Sequence, residues 1–292
     1  MLDSVILGDN QFFGINHRSP DAARQQEERF RSVGAIGGVL SDAYECGVRG
    51  FMLNTNSRAG EVCDWIRDNW GTRDPLGIYA SLPYAHKYAS MMNEMGAVGT
   101  FRELAKRMGG GKGLATAIGR GGRFLVAKDA VPLMRSLVDA EMSVFRGLPV
   151  RVIFLQNIVT DLLAGLGLWD MLCEYGRYVS DSLGCVPGFV TMNYPMVSQG
   201  LTQAGLDRGV ICTNLNPVGF NMFPSQEAYE ETLNSSRFDV MAMSIMASGA
   251  VSPTDAAKYL RQFPRVKSVV FGASKRAHIA ETVECLRGIG QV

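Results

Sequence analysis

No apolar run in this 292-residue chain reaches the ~20 residues that a membrane-spanning helix needs. Neither sign of charge is in excess. The 29 Lys and Arg stand against 28 Asp and Glu, for a net charge of +1. That balance gives no reason to expect a nucleic-acid or membrane-surface partner. The six cysteines (Cys46, Cys63, Cys173, Cys185, Cys212 and Cys285) show neither CxxC nor Cys/His ligand spacing. A metal site is therefore not expected, and reduced, largely buried thiols of a cytoplasmic protein are. The opening "MLDSVILGDN" has no basic region before its strand-like stretch, so no secretory leader is expected.

What remains is a globular composition, 47% hydrophobic and 20% charged, with short apolar runs alternating with amphipathic stretches. Eight runs read as strands: 4–9, 49–55, 76–82, 150–157, 188–193, 209–216, 238–245 and 268–273. Each is continuous and rich in Val, Ile, Phe or Met, as in parallel strands buried on both faces. Helical patterns lie between them. "SPDAARQQEERF" and "SPTDAAKYLRQF" both open Ser-Pro, an N-cap followed by proline at the first helical position. "GEVCDWIRDNW", "DAVPLMRSLVDAEMSVF" and "RAHIAETVECLRGIG" supply three more. Alternation of this kind predicts the α/β class and one (β/α)8 TIM barrel over 1–292, with an open doubly wound sheet as rival. Residues 83–149 are too long for a plain connection and read as a helical, Gly-rich insertion between strands three and four. Within it "MGGGKGLATAIGRGGRF" (108–124) carries Lys112, Arg120 and Arg123 without P-loop spacing. It reads as a lid, an anion-binding loop or a surface insertion.

In such barrels, chemistry gathers at the C-terminal strand ends. Here those ends are unusually polar. Strand one runs into Asp9, Asn10 and Gln11. Strand two ends at Asn54 and Asn56, with Arg58 and Glu61 beyond. Strand three leads to Tyr84, His86 and Lys87, and strand four to Gln156 and Asn157. Asn193, Asn214, Asn216 and Ser244 end strands five to seven, and Gly272, Ser274, Lys275 and Arg276 follow strand eight. One strand-end Asn is ordinary turn chemistry. Their recurrence on most strands predicts a shared pocket. Amides bind hydroxyls, carbonyls and phosphate oxygens but do little proton transfer. The candidate acids and bases are therefore few: Asp9, His17, Tyr84, His86, Lys87 and Glu61. His278 falls in a helical pattern and reads as a surface residue.

The segment "KSVVFGASKRAHIAETVECL" (267–286) closely resembles the last strand and helix of the aldo-keto reductases. "VMAMSIMASG" (240–249), "FVTMNY" (189–194), "NP" (216–217) and "LNTNSRAGE" (53–61) resemble that family's strands seven, five, six and two. The resemblance implies the same barrel. It also implies that Gly272, Ser274, Lys275 and Arg276 hold the adenosine phosphate of NADP, with Glu281 following and Asn193 at the nicotinamide carboxamide. By the same register the family's catalytic tetrad falls on Asn54, Ala59, a position near Leu82, and Gln156. Met192, Cys212 and Met243 take the places of other nicotinamide contacts. The redox centre is thus replaced while an anion corner persists.

The expectation from these residues is a non-redox lyase, isomerase or dehydratase acting on a small, hydroxyl-rich, phosphorylated metabolite. The amides would orient the substrate, and Ser274, Lys275 and Arg276 would hold its phosphate. A divergent NAD(P)H-dependent reductase is the second expectation and a non-catalytic binding protein the third. The cofactor is accordingly either none or NADP.

Overall fold

The computed structural model describes residues 2–13, 20–83 and 123–290. Eight parallel strands close a barrel in chain order. They are β1 (Val5–Leu7), β2 (Gly50–Asn54), β3 (Gly77–Leu82), β4 (Val150–Leu155), β5 (Val186–Thr191), β6 (Val210–Asn214), β7 (Asp239–Met243) and β8 (Val266–Phe271). The sheet closes where β1 pairs with β8, Val5 to Val269 and Leu7 to Phe271. Six of the eight predicted runs contain their strands, while β5 and β8 begin and end two residues earlier than the runs 188–193 and 268–273. Asn193 and Gly272 therefore lie in loops. Around the barrel run α1 (Pro20–Arg29), α2 (Val33–Glu45), α3 (Ala59–Asn69), α4 (Arg123–Met142), α5 (Asn157–Gly165), α6 (Trp169–Asp181), α7 (Tyr194–Gln203), α8 (Gln226–Ser235), α9 (Pro253–Leu260) and α10 (Arg276–Cys285). The predicted Ser-Pro start holds at α9, where the Ser252 hydroxyl accepts from Asp255 N at 3.1 Å.

The strands are apolar on both faces because both faces are covered. Successive residues point to opposite sides. Phe51, Leu53, Ile78, Ala80, Ile153 and Ile211 face outward and pack with the helices in one large core. Ile6, Tyr79, Val152, Phe154, Val190, Val210, Cys212, Met241 and Val270 form a second cluster inside the barrel. At the floor, Arg151 donates to Asp3 Oδ1 at 2.9 Å and Tyr79 Oη to Asp3 Oδ2 at 2.9 Å. Asp3 N returns a bond to Tyr79 Oη at 2.7 Å, and the Ser268 hydroxyl donates to the Asp3 carbonyl.

Large inner side chains need bare backbone opposite them. A Cβ at Gly50 would stand 2.8 Å from both Ile6 and the Tyr79 ring. A Cβ at Gly188 would fall within the Phe154 ring, and one at Gly37 within the Trp65 ring. Gly37 lies inside α2, where glycine costs roughly 1 kcal/mol of helix propensity against alanine. Docking of Trp65 from α3 offsets that cost.

Gly188→Ala should therefore destabilise the protein by about 1–3 kcal/mol through overpacking. Phe154→Leu in the same background should recover part of the loss, because the two sites share one volume. Urea unfolding of the single and double variants measures both effects.

Candidate active site

The C-terminal mouth of the barrel gathers a carboxylate and two amides into one hydrogen-bonded chain. β1 ends at Leu7, and the chain turns at once into a short 3-10 turn, Asn10–Phe12. Phe12 is buried, with its ring edge-on to Phe30 at 5.0 Å and tilted against Phe51 at 6.3 Å. That anchor fixes Asp9 beside the top of β2. Asp9 Oδ2 accepts from Asn54 N at 2.9 Å, and Oδ1 accepts from Asn54 Nδ2 at 2.6 Å. Asn56 Nδ2 stands 3.5 Å from Oδ2. Asn54 Oδ1 in turn accepts from Gln156 Nε2 at 2.5 Å. A carboxylate only accepts, so the Asp9 charge sets the direction of the whole chain. It turns the Asn54 NH2 inward and its carbonyl toward Gln156.

Asp9 is 3% exposed. Burial pushes its pKa up from 3.8 to about 6, and the two Asn54 donors oppose that rise without cancelling it. A carboxyl in this range is populated in both protonation states near neutrality, which general acid–base work requires.

The other predicted residues divide by what they touch. Asn193 caps α7, its Oδ1 accepting from Met196 N at 3.2 Å. Asn214 donates to the Asn221 carbonyl at 3.0 Å and contacts the Met192 sulfur at 3.1 Å. Asn216 is fully buried and folds the loop after β6, donating to Phe220 O at 2.9 Å and accepting from Phe220 N at 2.8 Å. Arg58 spans to α3 and to the α1–α2 turn, donating to Glu61 at 3.2 Å, Phe30 O at 2.8 Å and Arg31 O at 3.0 Å. Asn157 is the first residue of α5 and half-buried, Asn10 is exposed, and Ser244 is exposed with φ +53°. Gln11 is buried and donates to Gly8 O at 2.6 Å. Its Oε1 has no partner among the described residues.

At the β8 corner, Arg276 turns to α2. It pairs with Asp42 at 3.0 Å and with Glu45, which it holds below the usual carboxylate range. Ser274 is engaged by Arg29 of α1, through Oγ at 3.2 Å and the carbonyl at 3.1 Å. Lys275 and Gly272 are exposed. Of the described cations, Arg29 contacts Ser274, Lys275 follows it in the chain and is exposed, and Arg276 is committed elsewhere. His17, Tyr84, His86 and Lys87 lie outside the described residues, as do 108–122 of the Gly-rich stretch. His278 is exposed.

Two further residues shape the mouth. Asp161 of α5 accepts from the Thr191 hydroxyl at 2.5 Å and from Met192 N at 3.0 Å, and burial raises its pKa. Tyr229 of α8 donates to Met192 O at 2.8 Å. Together they fix the segment carrying Met192 and Asn193. Neither stands at a strand end, and only the fold brings them there.

No protein-family model matches the sequence, and no curated protein matches it. Solved structures match it in fold. A Pseudomonas aeruginosa protein described as an aldo-keto reductase aligns with TM-score 0.59 and 10% identity over 97% of this chain and 88% of that one. An aldo-keto reductase complexed with NADPH gives 0.55 and 11% over 99% and 84%. A Bombyx mori aldo-keto reductase in complex with NADP gives 0.54 and 14% over 98% and 88%. The chain therefore has an aldo-keto-reductase-like barrel, as the C-terminal resemblance implied.

The raised pKa of Asp9 makes stability pH-dependent. Between about 3.8 and about 6 the folded state holds a proton that the unfolded chain has released. Stability from this group is fully present below that window and falls across it as pH rises, by about 3 kcal/mol in total. Asp9→Asn should remove this slope. Urea unfolding of wild type and variant at stepped pH gives the difference.

Proposed function

We propose that the protein is a carbonyl oxidoreductase that uses NAD(P)H and takes its proton from Asp9. The observation that carries this reading is a buried carboxyl, shifted to about 6, at the mouth of an aldo-keto-reductase-like barrel. Two of the structures similar in fold are complexes with NADP or NADPH, which supports the choice of cofactor. The resemblance sets alanine where that family has its tyrosine acid. A reductase on this scaffold needs another proton donor, and Asp9 meets the chemical requirement.

The residues present fit the cofactor at both ends. Arg29, Ser274 and Lys275 offer two cations and a hydroxyl to a phosphate at the start of α10. Gly272 leaves the backbone bare beside the buried Gln11 Oε1, which a Cβ there would approach to 2.8 Å. Asn193 supplies an amide at the end of β5 for a carboxamide. When bound, NAD(P)H supplies the hydride that reduces a carbonyl carbon.

The chain's own part is binding and proton delivery. In its acid form Asp9 carries a hydrogen, while both of its oxygens already receive N–H groups from Asn54. That hydrogen has no acceptor in the Asp9–Asn54 arrangement, and a substrate oxygen provides one. As the alkoxide forms, the proton passes to it, and the carboxylate left behind keeps its two Asn54 bonds, which its charge strengthens. Asn54 and Gln156 orient the substrate oxygen by hydrogen bonding and do not titrate.

The non-redox reading uses the same carboxyl as a base and the same amides. It loses part of its phosphate grip, because the Arg276 charge is offset by Asp42 and Glu45.

Titration with NADPH, followed by nicotinamide fluorescence and calorimetry, is the test. Micromolar binding and carbonyl-dependent NADPH oxidation are expected. Asp9→Asn should then lower kcat by roughly 10²- to 10⁴-fold with NADPH affinity kept. Absence of nicotinamide binding overturns the reading, and so does an Asp9→Asn variant of unchanged rate.

A further inference from the structure

The turn from β5 into α7 is held by side chains and not by the sheet or the helix. β5 ends at Thr191 and α7 begins at Tyr194, so Met192 and Asn193 belong to neither. Backbone groups at such a junction have no regular partner and must find one elsewhere. Met192 N donates to Asp161 Oδ2 at 3.0 Å. Asn193 N donates to Thr191 Oγ1 at 2.9 Å, and that hydroxyl donates onward to Asp161 Oδ1 at 2.5 Å. Asp161 therefore holds two successive N–H groups, one directly and one through the fully buried Thr191. It does so from α5, 30 positions earlier in the chain. On the carbonyl side, Met192 O accepts from Tyr229 Oη at 2.8 Å and from Phe223 N at 3.2 Å.

The chemistry of the turn calls for an acid at this position. Met192 N can only donate. Thr191 Oγ1 already receives a hydrogen from Asn193 N, and its own hydrogen goes to Asp161. Two donors thus face residue 161, and a carboxylate accepts from both. An asparagine there would offer one acceptor and turn its NH2 on the other donor.

The turn so fixed presents one polar group that the fold does not use. Asn193 Oδ1 is spent on the cap of α7, accepting from Met196 N at 3.2 Å, and Nδ2 has no partner among the described residues. Resting on the NAD(P)H reading above, we propose that Asp161 is the positioning residue of the nicotinamide end of the site. By holding the Met192 and Asn193 N–H groups it sets where the Asn193 Nδ2 donor stands. Asp161 is not a catalytic residue, because its bonds go to Thr191 and Met192 and not to the Asp9–Asn54–Gln156 chain.

Calorimetric titration of wild type and Asp161→Asn with two ligands tests the proposal. One is NADPH. The other is adenosine 2′,5′-bisphosphate, which shares the adenosine phosphates of NADPH and lacks its nicotinamide. Asp161→Asn should weaken NADPH binding about five- to tenfold, the worth of one misplaced hydrogen bond. Binding of the bisphosphate should stay at the wild-type value. Amide hydrogen exchange reads the turn without any ligand. The Met192 and Asn193 amides should exchange about tenfold faster in the variant, as loss of one charge-assisted bond implies. Thr191→Val, which removes the relaying hydroxyl, should act as Asp161→Asn does, and Thr191→Ser should restore wild-type binding. Equal weakening of both ligands marks a general loss of structure and overturns the proposal. Unchanged NADPH binding or unchanged exchange in Asp161→Asn also overturns it, and leaves the oxidoreductase reading standing. A wild type that binds no NADPH overturns that reading, and this proposal with it.

Discussion

The pairing of β1 with β8 is the contact on which the rest of the molecule depends. It is a short seam, Val5 to Val269 through Leu7 to Phe271, extended by Gly8 N donating to Phe271 O at 2.9 Å. Closing the sheet there gives every strand an inside and an outside. Two cores result instead of one, and no strand edge is left open. The seam also brings the first strand end against the last, so that Gln11 lies beside Gly272, and sets Asp9 over β2. Without closure, Asp9 would be a turn residue in water with an ordinary carboxylate pKa.

Burial and hydrogen bonding pull Asp9 in opposite directions, and burial wins. The two Asn54 donors stabilise the charged form, while loss of water destabilises it more. The same balance decides what the amides do. They cannot titrate, so they add direction without adding charge. At the opposite corner, Arg276 shows the reverse case. Two exposed carboxylates on α2 hold it, and it serves the packing of α10 on α2.

Strands were the most legible part of the sequence, because a strand covered on both faces has a continuous apolar run. Five helices, α1, α3, α4, α9 and α10, were legible from an amphipathic pattern or a Ser-Pro start. α2, α5, α6, α7 and α8 were not: α2 holds glycines that receive a neighbouring side chain, as Gly37 receives Trp65, α7 lacks charge, and α5, α6 and α8 have no Ser-Pro start. Asp9, Asn54 and Gln156 were readable as polar strand ends. Their order along one hydrogen-bonded chain was not, since it joins residues up to 102 positions apart. Asp161, Tyr229 and Arg29 gave no signal, because each sits within a helix and reaches the site only across the fold. Asn216 and Arg58 also stood at strand ends, but Asn216 binds backbone and Arg58 binds backbone and Glu61, a distinction that composition at a strand end does not contain.

The floor of the barrel has a consequence for traffic. Asp3, Tyr79, Arg151 and Ser268 bond to one another across the N-terminal end, beneath a layer of apolar side chains. The barrel is a cup and not a tube. On the function proposed above, substrate and product would therefore share the C-terminal doorway, and departure of one would precede entry of the next.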